Sequence, residues 1–412
     1  MSAAGSATRR YHERPMSDRG ALPISTRDPD HGADARPGLS GIPPAELAAW
    51  VESSGEAAYR ARQVGDFLWR RHAVDVSEMR TLPAALRAAL GEAFSVSKLV
   101  ETLVRPADGG LTEKALHRLA DGRLIESVLM RYPRRPGRRE RATVCISSQA
   151  GCAVGCPFCA SGELGFERDL DTAEIVDQVR FWARRLAAAG RHVTNVVFMG
   201  MGEPLLNADA VVAAADALVD PVRFGLGARH VAISTSGVIP GIDRLTALHP
   251  PWTLAVSLHA ARPALRDVLV PLNRRYPVVA VVEAASAYAA ATGRRVSYEY
   301  VMINGINDTS ADAAAVAGLL HGRLAHVNLI PMNPVAHTPW RPSSTQRIEA
   351  FAAELHGAGI PVTVRRNRGD EIGAACGQLA AEHTGDPAPA VVRLRRERLE
   401  RVGAAALGAE RV

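Results

Sequence analysis

The chain has 412 residues, 47% of them hydrophobic, and a formal net charge of +6, with a sequence pI near 9.3 and a mean hydropathy of −0.03. Such a chain has room for one main globular domain and an accessory one. No apolar run approaches the ~18 residues of a membrane span, and the first residues lack the apolar core of a secretory signal, so a cytoplasmic protein without a membrane partner is expected.

The positive charge permits a polyanionic partner. Of the 49 basic residues, however, only Lys98 and Lys114 are lysines. With abundant alanine this suggests a GC-rich genome, so arginine richness alone argues weakly for phosphate recognition. Five cysteines, Cys145, Cys152, Cys156, Cys159 and Cys376, are too sparse for a disulfide framework and point to metal or catalytic roles.

In chain order, residues 1–40 hold scattered prolines and many Arg, Asp, Gly and Ser without apolar periodicity, which predicts a disordered extension. From 41 to 100 apolar residues fall at helical spacing, as in Val64, Phe67, Leu68 and then Leu82, Leu86, Leu90, predicting a small helical domain. Residues 101–142 change to strand patterns, with Asp121-Gly122 between two apolar runs as a hairpin signal. Glu126 sits in the second run. It is either a solvated acid on an edge strand or a buried carboxylate suited to proton transfer. The loop Arg131–Arg141 carries six arginines, a solvated surface or a contact for an RNA backbone.

From 143 to 380 apolar strands alternate with helical patterns. Strands are expected at 143–148, 194–199, 230–234, 254–258, 296–301 and 326–330, with helices such as 172–188, 208–219, 278–291 and 309–320. A further helix at 346–356 and strand at 362–365 follow. The expected fold class is α/β, a parallel partial (βα)6 barrel preceded by the helical domain and the β-hairpin. The tail from 381 to 412 is basic and reads as a solvated extension.

In such barrels chemistry sits on loops after the strands. After the first strand come Cys152, Cys156 and Cys159 at CxxxCxxC spacing. Cubane clusters normally take four thiolates, so a compact set of three leaves one metal position open, as catalytic sites do. The alternative is a structural zinc site completed by Cys145, Cys376 or a histidine. Later loops carry Gly202-Glu203, Ser234, Ser257-Leu258-His259 and Asn333. Glycines permit close backbone approach, Glu203 can accept from an ammonium, and the serines, His259 and Asn333 can bond ribose, carboxylate or adenine edges. That set suits an amino-acid nucleoside. Cys376, between small residues and near arginines, is either a nucleophilic thiolate or an inert buried thiol.

The cysteine spacing with Phe158 before the last thiol resembles the radical SAM superfamily. Longer stretches narrow the likeness: Thr143–Cys152, Met199–Asn207, Ser234–Gly237, Ser257–Ala260 and Arg368–Gln378 resemble the radical SAM adenine-C2 methyltransferases of 23S rRNA and tRNA, the RlmN/Cfr family, over about residues 44–380. The resemblance implies one 4Fe-4S cluster on the three cysteines and two S-adenosylmethionine (SAM) molecules per turnover. It assigns Gly202, Glu203, Ser234, Ser257, Leu258, His259 and Asn333 to SAM binding. It makes Cys376 an S-methylcysteine carrier, Glu126 the base, and Cys145 the thiol that forms a transient disulfide with Cys376. The implied partners are 23S rRNA, tRNA and a low-potential flavodoxin- or ferredoxin-like electron donor; nothing in the sequence demands more than a monomer. Adenine-C8 methylation in the same family, and a zinc-stabilised RNA-binding protein without catalysis, are the competing readings.

Overall fold

The computed structural model describes residues 34–134, 136–137, 139–335, 338–365, 369, 373 and 378. Three helices come first: α1 (Pro44–Ser53), α2 (Tyr59–Trp69) and α3 (Ala84–Ala93). Pro44 occupies a first-turn position, where no backbone N–H is needed. The apolar positions expected at helical spacing, Val64, Phe67, Leu68, Leu82, Leu86 and Leu90, are all buried. Residues 34–40, which composition places in the extension, are packed at their C-terminal end, where Leu39 and Ser40 are buried.

The next strands are β1 (Leu99–Ala107), β2 (Thr112–Leu119), β3 (Leu124–Tyr132) and β4 (Arg141–Cys145). A short pair follows, β5 (Gln149–Gly151) and β6 (Phe166–Asp169), with α4 (Ala160–Leu164) between them. The repeating part then runs α5 (Thr172–Ala187), β7 (Asn195–Phe198), α6 (Ala208–Val219), β8 (Val231–Thr235), α7 (Ile239–Leu248), β9 (Thr253–Ser257) and α8 (Pro263–Leu269). It closes with α9 (Val278–Thr292), β10 (Val296–Met302), α10 (Ser310–Leu320), β11 (Ala325–Pro331), α11 (Thr345–Gly357) and β12 (Val362–Val364). Capping boxes start two of these helices, Asp171 with Glu174 on α5 and Thr309 with Asp312 on α10.

Ten strands form one sheet in the order β1-β2-β3-β4-β7-β8-β9-β10-β11-β12. The pairs from β1 to β4 are antiparallel and those from β4 to β12 parallel. The partial barrel is therefore as expected, with β12 added at its far edge. Two details differ. The first barrel strand ends at Cys145 rather than at Ser148, because the chain turns away to form β5. Glu126 is not on an edge: β3 lies between β2 and β4, and Glu126 is 1% exposed. The solvated alternative for that acid is excluded.

Burial alternates along the parallel strands. Val196, Phe198, Ile233, Leu254, Val256, Tyr298, Tyr300 and Leu329 are sealed in the main core, as expected for a face covered by helices. The opposite face carries half-buried or small groups such as Asn195, Ala232, Ser257, Ser297 and Asn328. This half-open inner surface leads to the strand ends where the predicted site residues cluster. No helix among the described residues is long and apolar enough to cross a membrane.

Candidate active site

Cys152, Cys156 and Cys159 lie between β5 and α4, and Cys159 is the residue preceding the first turn of α4. The Cys152 N–H donates to Gly165 O at 2.8 Å and that of Cys159 to Cys156 O at 3.1 Å, which shapes the segment into a compact loop. All three line one cleft that opens to solvent. Burial pushes the Cys152 thiol up to about 12, with Cys159 adding to the shift. Burial also raises Cys156, helped by both neighbouring thiols. Three half-buried thiols gathered on one wall are a donor set that fits a cationic iron-sulfur cluster. Cys145, the other described cysteine, sits on β4 and does not line this cleft. No three His, Cys, Asp or Glu side chains among the described residues converge on a single ion.

The other walls are the strand ends. Gly202, Glu203, Ser234, Ser257, His259 and Asn333 all line the cleft, together with Ser236, Glu299 and Arg365. Leu258 does not; its side chain is buried, and its N–H donates to Glu299 O at 2.9 Å. Glu203 braces two loops, accepting from the N–H of Leu205 at 3.1 Å and of Ser236 at 2.6 Å. Burial raises its pKa, against the pull of those bonds. Gly200 and Gly202 serve backbone packing as well as ligand approach. A Cβ on Gly200 would fall 2.6 Å from Ile146 backbone atoms, and one on Gly202 2.6 Å from Gln149 Cβ.

His259 has a positive φ of 56° and accepts from the Val301 N–H through Nδ1 at 3.1 Å. Its remaining proton therefore sits on Nε2, and its ring meets Phe158 edge-on at 4.9 Å. Burial, with Arg266 nearby, lowers its pKa to about 3, so the ring is neutral. This makes His259 a hydrogen-bond donor to the cleft rather than a cation.

Arg266 on α8 has no mark in the sequence pattern. Its guanidinium, fully buried, donates to Leu258 O at 2.9 Å, Asn273 Oδ1 at 2.9 Å, Ser236 O at 2.8 Å and Ser257 O at 2.9 Å. It ties together the loops after β8 and β9. Gln149 takes part in a similar way: its Oε1 accepts from the Glu203 N–H at 2.9 Å, and its Nε2 donates to Asp169 at 2.7 Å. Its place inside the Thr143–Cys152 motif is the one sequence signal that marks it.

Glu126 and Cys145 form a second group on the sheet. Cys145 pairs with Val128, two residues from Glu126, so both side chains belong to one face. Lys114 pairs with Val128 from the other side, and its Nζ lies 3.3 Å from Glu126 Oε1. Ser147 links this group to the cleft: its hydroxyl donates to Glu126 O at 2.6 Å and accepts from the Met201 N–H at 2.9 Å. No disulfide joins any two of the described cysteines. Cys376 lies outside the described residues, as do residues 1–33 and 379–412, so the expected disulfide is not seen. In the arginine loop, Arg131 pairs with Glu113 and Arg141 stacks on Tyr132 at 4.0 Å, while Arg134 and Arg139 are exposed.

Comparison with known proteins agrees with this geometry. Residues 146–316 match the model of the radical SAM superfamily, and residues 38–96 that of the ribosomal RNA large subunit methyltransferase N-terminal domain. A protein of Parafrankia sp. (strain EAN1pec), named a "Probable dual-specificity RNA methyltransferase RlmN", is 50% identical over 352 residues, covering 82% of this chain and 90% of that one. One of the same name from Thermobifida fusca (strain YX) is 47% identical, covering 87% and 97%. The crystal structure of a radical SAM methyltransferase from Sphaerobacter thermophilus superposes with a TM-score of 0.81 at 46% identity, covering 84% of this chain and all of that one. With a thiol-lined cleft at the strand ends and likeness across both the barrel and the helical segment, this chain belongs to the family of radical SAM RNA methyltransferases that includes the RlmN proteins.

Proposed function

We propose that the enzyme methylates C2 of a specific adenosine in 23S rRNA and of the adenosine 3′ of the anticodon in a subset of tRNAs. It uses two SAM molecules per turnover and an S-methylcysteine at Cys376. The observation that carries this reading is the grouping of Glu126 and Cys145 on one face of adjacent strands, joined through Ser147 to the cleft loop. A SAM enzyme that only generated a radical would not need a second acid and thiol there.

Cys152, Cys156 and Cys159 would hold the 4Fe-4S cluster. When bound with SAM, that cluster supplies the one-electron cleavage that yields a hydrogen-abstracting 5′-deoxyadenosyl radical. The protein residues do the rest. Glu203, Ser234, Ser257, His259 and Asn333 offer the acceptors and donors that an amino-acid nucleoside requires. Cys376 loses its thiol proton and takes a methyl group from the first SAM, releasing S-adenosylhomocysteine. Loss of one hydrogen atom from that methyl leaves a carbon radical, which bonds to adenine C2. An aromatic ring carbon is no nucleophile toward a SAM methyl, and radical addition avoids that limit.

Glu126 then removes the C2 proton. Cys145 attacks the Cys376 sulfur: the S–S bond forms, the C–S bond breaks, the carbon takes a proton, and the surplus electron returns to its donor. The reductant is a flavodoxin- or ferredoxin-like protein, and the enzyme acts as a cytoplasmic monomer. The helical segment and exposed arginines of the 131–141 loop present RNA, whose adenine must be unstacked to enter.

The test uses wild type and Cys376→Ala, both reconstituted anaerobically, with labelled SAM. Wild type should carry the methyl on Cys376 and yield 2-methyladenosine by mass mapping, while the variant keeps its cluster and does neither. Methylation of RNA by the variant would overturn the carrier assignment. 8-Methyladenosine would move the enzyme to the C8 branch, and zinc without iron in the purified protein would favour the non-catalytic reading.

A further inference from the structure

Only two of the 49 basic residues are lysines, and both are buried, Lys98 at 6% and Lys114 at 4% exposure. A chain written so heavily in arginine keeps lysine where a guanidinium does not serve. For Lys98 the reason is visible: its compact ammonium donates to two converging carbonyls, Asp34 O and Arg36 O, each at 3.0 Å. For Lys114 the neighbour is Glu126, with Nζ 3.3 Å from Oε1.

We propose that Lys114 is a positioning residue for Glu126, holding its carboxylate ionised and aimed so that it can accept the proton of the reacting adenine. This rests on the reading of Glu126 as the base. A carboxyl group buried alone is driven to its neutral form, which cannot accept a proton; a cation within a few ångströms restores the charged form. The choice of cation matters. An arginine fork bonds both carboxylate oxygens at once, whereas an ammonium is a point charge that engages one. Lys114 lies beside Oε1, so its charge favours the ionised carboxylate through one oxygen. The β2–β3–β4 register, with Lys114 and Cys145 both level with Val128, sets ammonium, base and resolving thiol on one face. In the step itself the proton passes from the ring carbon to Glu126, its bonding pair stays with the ring, and Lys114 gives up nothing.

The experiment compares wild type, Lys114→Met, Lys114→Arg and Glu126→Gln. In Lys114→Met, methyl loading of Cys376 and the first turnover of 5′-deoxyadenosine should stay near wild type. Release of methylated RNA should fall by about a hundredfold, with a covalent protein–RNA adduct accumulating on denaturing gels. Glu126→Gln should do the same, the double variant should be no worse than either, and Lys114→Arg should not restore release.

A second readout needs no turnover. In cluster-free protein, the infrared carboxylate band that Glu126→Gln removes should be present in wild type and replaced by a protonated-acid band in Lys114→Met. Normal release by Lys114→Met, an unchanged band, or loss of Cys376 methylation in parallel with release would each overturn the proposal. If wild type itself forms neither S-methylcysteine nor methylated adenine, the functional reading fails instead. Should Lys114→Met not fold, Lys114→Arg decides: impaired release supports the requirement for an ammonium, and full release refutes it.

Discussion

The Arg180 guanidinium lies 2.5 Å from Asp177 Oδ1, one turn away on α5, with both side chains only 2% exposed. The pair fastens the helical segment to the barrel. Arg180 donates to Leu68 O at 3.2 Å, Val96 O at 2.9 Å and Ala73 O. Asp177 accepts from Ser40 Oγ at 2.7 Å and from the Lys98 N–H at 2.8 Å. Arg180→Met should leave the aspartate charge buried and three carbonyls unpaired, costing about 3–5 kcal/mol. Chemical denaturation measures it. A loss under about 1 kcal/mol would mean the pair behaves as a surface ion pair and fastens nothing.

Gly202 has a φ of 99°, and a Cβ there would meet Gln149 Cβ at 2.6 Å and Gln149 N at 2.8 Å. Both strain and overlap act against any side chain. Gly202→Ala should cost about 2–4 kcal/mol and weaken SAM binding, because the same loop carries Glu203. Calorimetric titration of SAM alongside the unfolding midpoint separates the two effects. An alanine variant of unchanged stability would show that the 146–149 and 200–203 segments are not held in contact.

Arg266 satisfies four acceptors on three segments, around Ser236, Ser257-Leu258 and Asn273. Burial lowers its pKa to about 10, which leaves it charged at neutral pH. Arg266→Met should orphan three carbonyls and the Asn273 amide oxygen, at about 1–3 kcal/mol each where no water enters. Iron content after reconstitution should persist, since the thiols lie on another loop, while SAM-dependent 5′-deoxyadenosine formation should fall by at least about tenfold. Arg266→Lys should recover part of the stability but little of the activity, having three donors on a flexible stem rather than a planar fork.

These residues show what the linear chain makes legible. The strand-helix alternation is readable because each barrel strand buries an apolar face, and the cluster loop because three thiols at short spacing are rare. α7 and α8 fall within the expected alternation but are hard to bound from pattern, because Pro240 and Pro263 look like breakers although both occupy first-turn positions that tolerate proline. β1 escapes as a strand of its own because Glu101, Arg105 and Pro106 interrupt its pattern. Arg266 carries no signal in an arginine-rich chain, since its role arises only where loops from β8 and β9 converge. The Lys114–Glu126 contact depends on β2–β3 register, which the turn around Asp121-Gly122 sets but which the residues between Lys114 and Glu126 do not mark by themselves.

His117 on β2 is wholly buried, with Nδ1 2.8 Å from Thr102 Oγ1 and Nε2 2.7 Å from Ser127 Oγ. Phe181 meets its ring edge-on at 5.1 Å, and the Trp182 indole N–H donates to the same Ser127 hydroxyl at 2.7 Å. Burial lowers its pKa from the ordinary 6.5 to about 3. The unfolded chain therefore binds a proton that the native state refuses until much lower pH. Stability contributed by the neutral ring is full above pH 6.5 and is lost as pH falls toward 3, at about 1.4 kcal/mol per pH unit. His259, lowered to about 3 as well, adds a slope of the same sign. Replacing His117 with Gln, which keeps hydrogen-bonding groups but cannot titrate, should reduce the slope of unfolding free energy against pH by about 1.4 kcal/mol per unit across the middle of that window. Urea denaturation at a series of pH values reads the slope directly. An identical slope in wild type and variant would mean that the native protein admits a proton at His117, and that the buried Thr102–His117–Ser127 chain opens in mild acid.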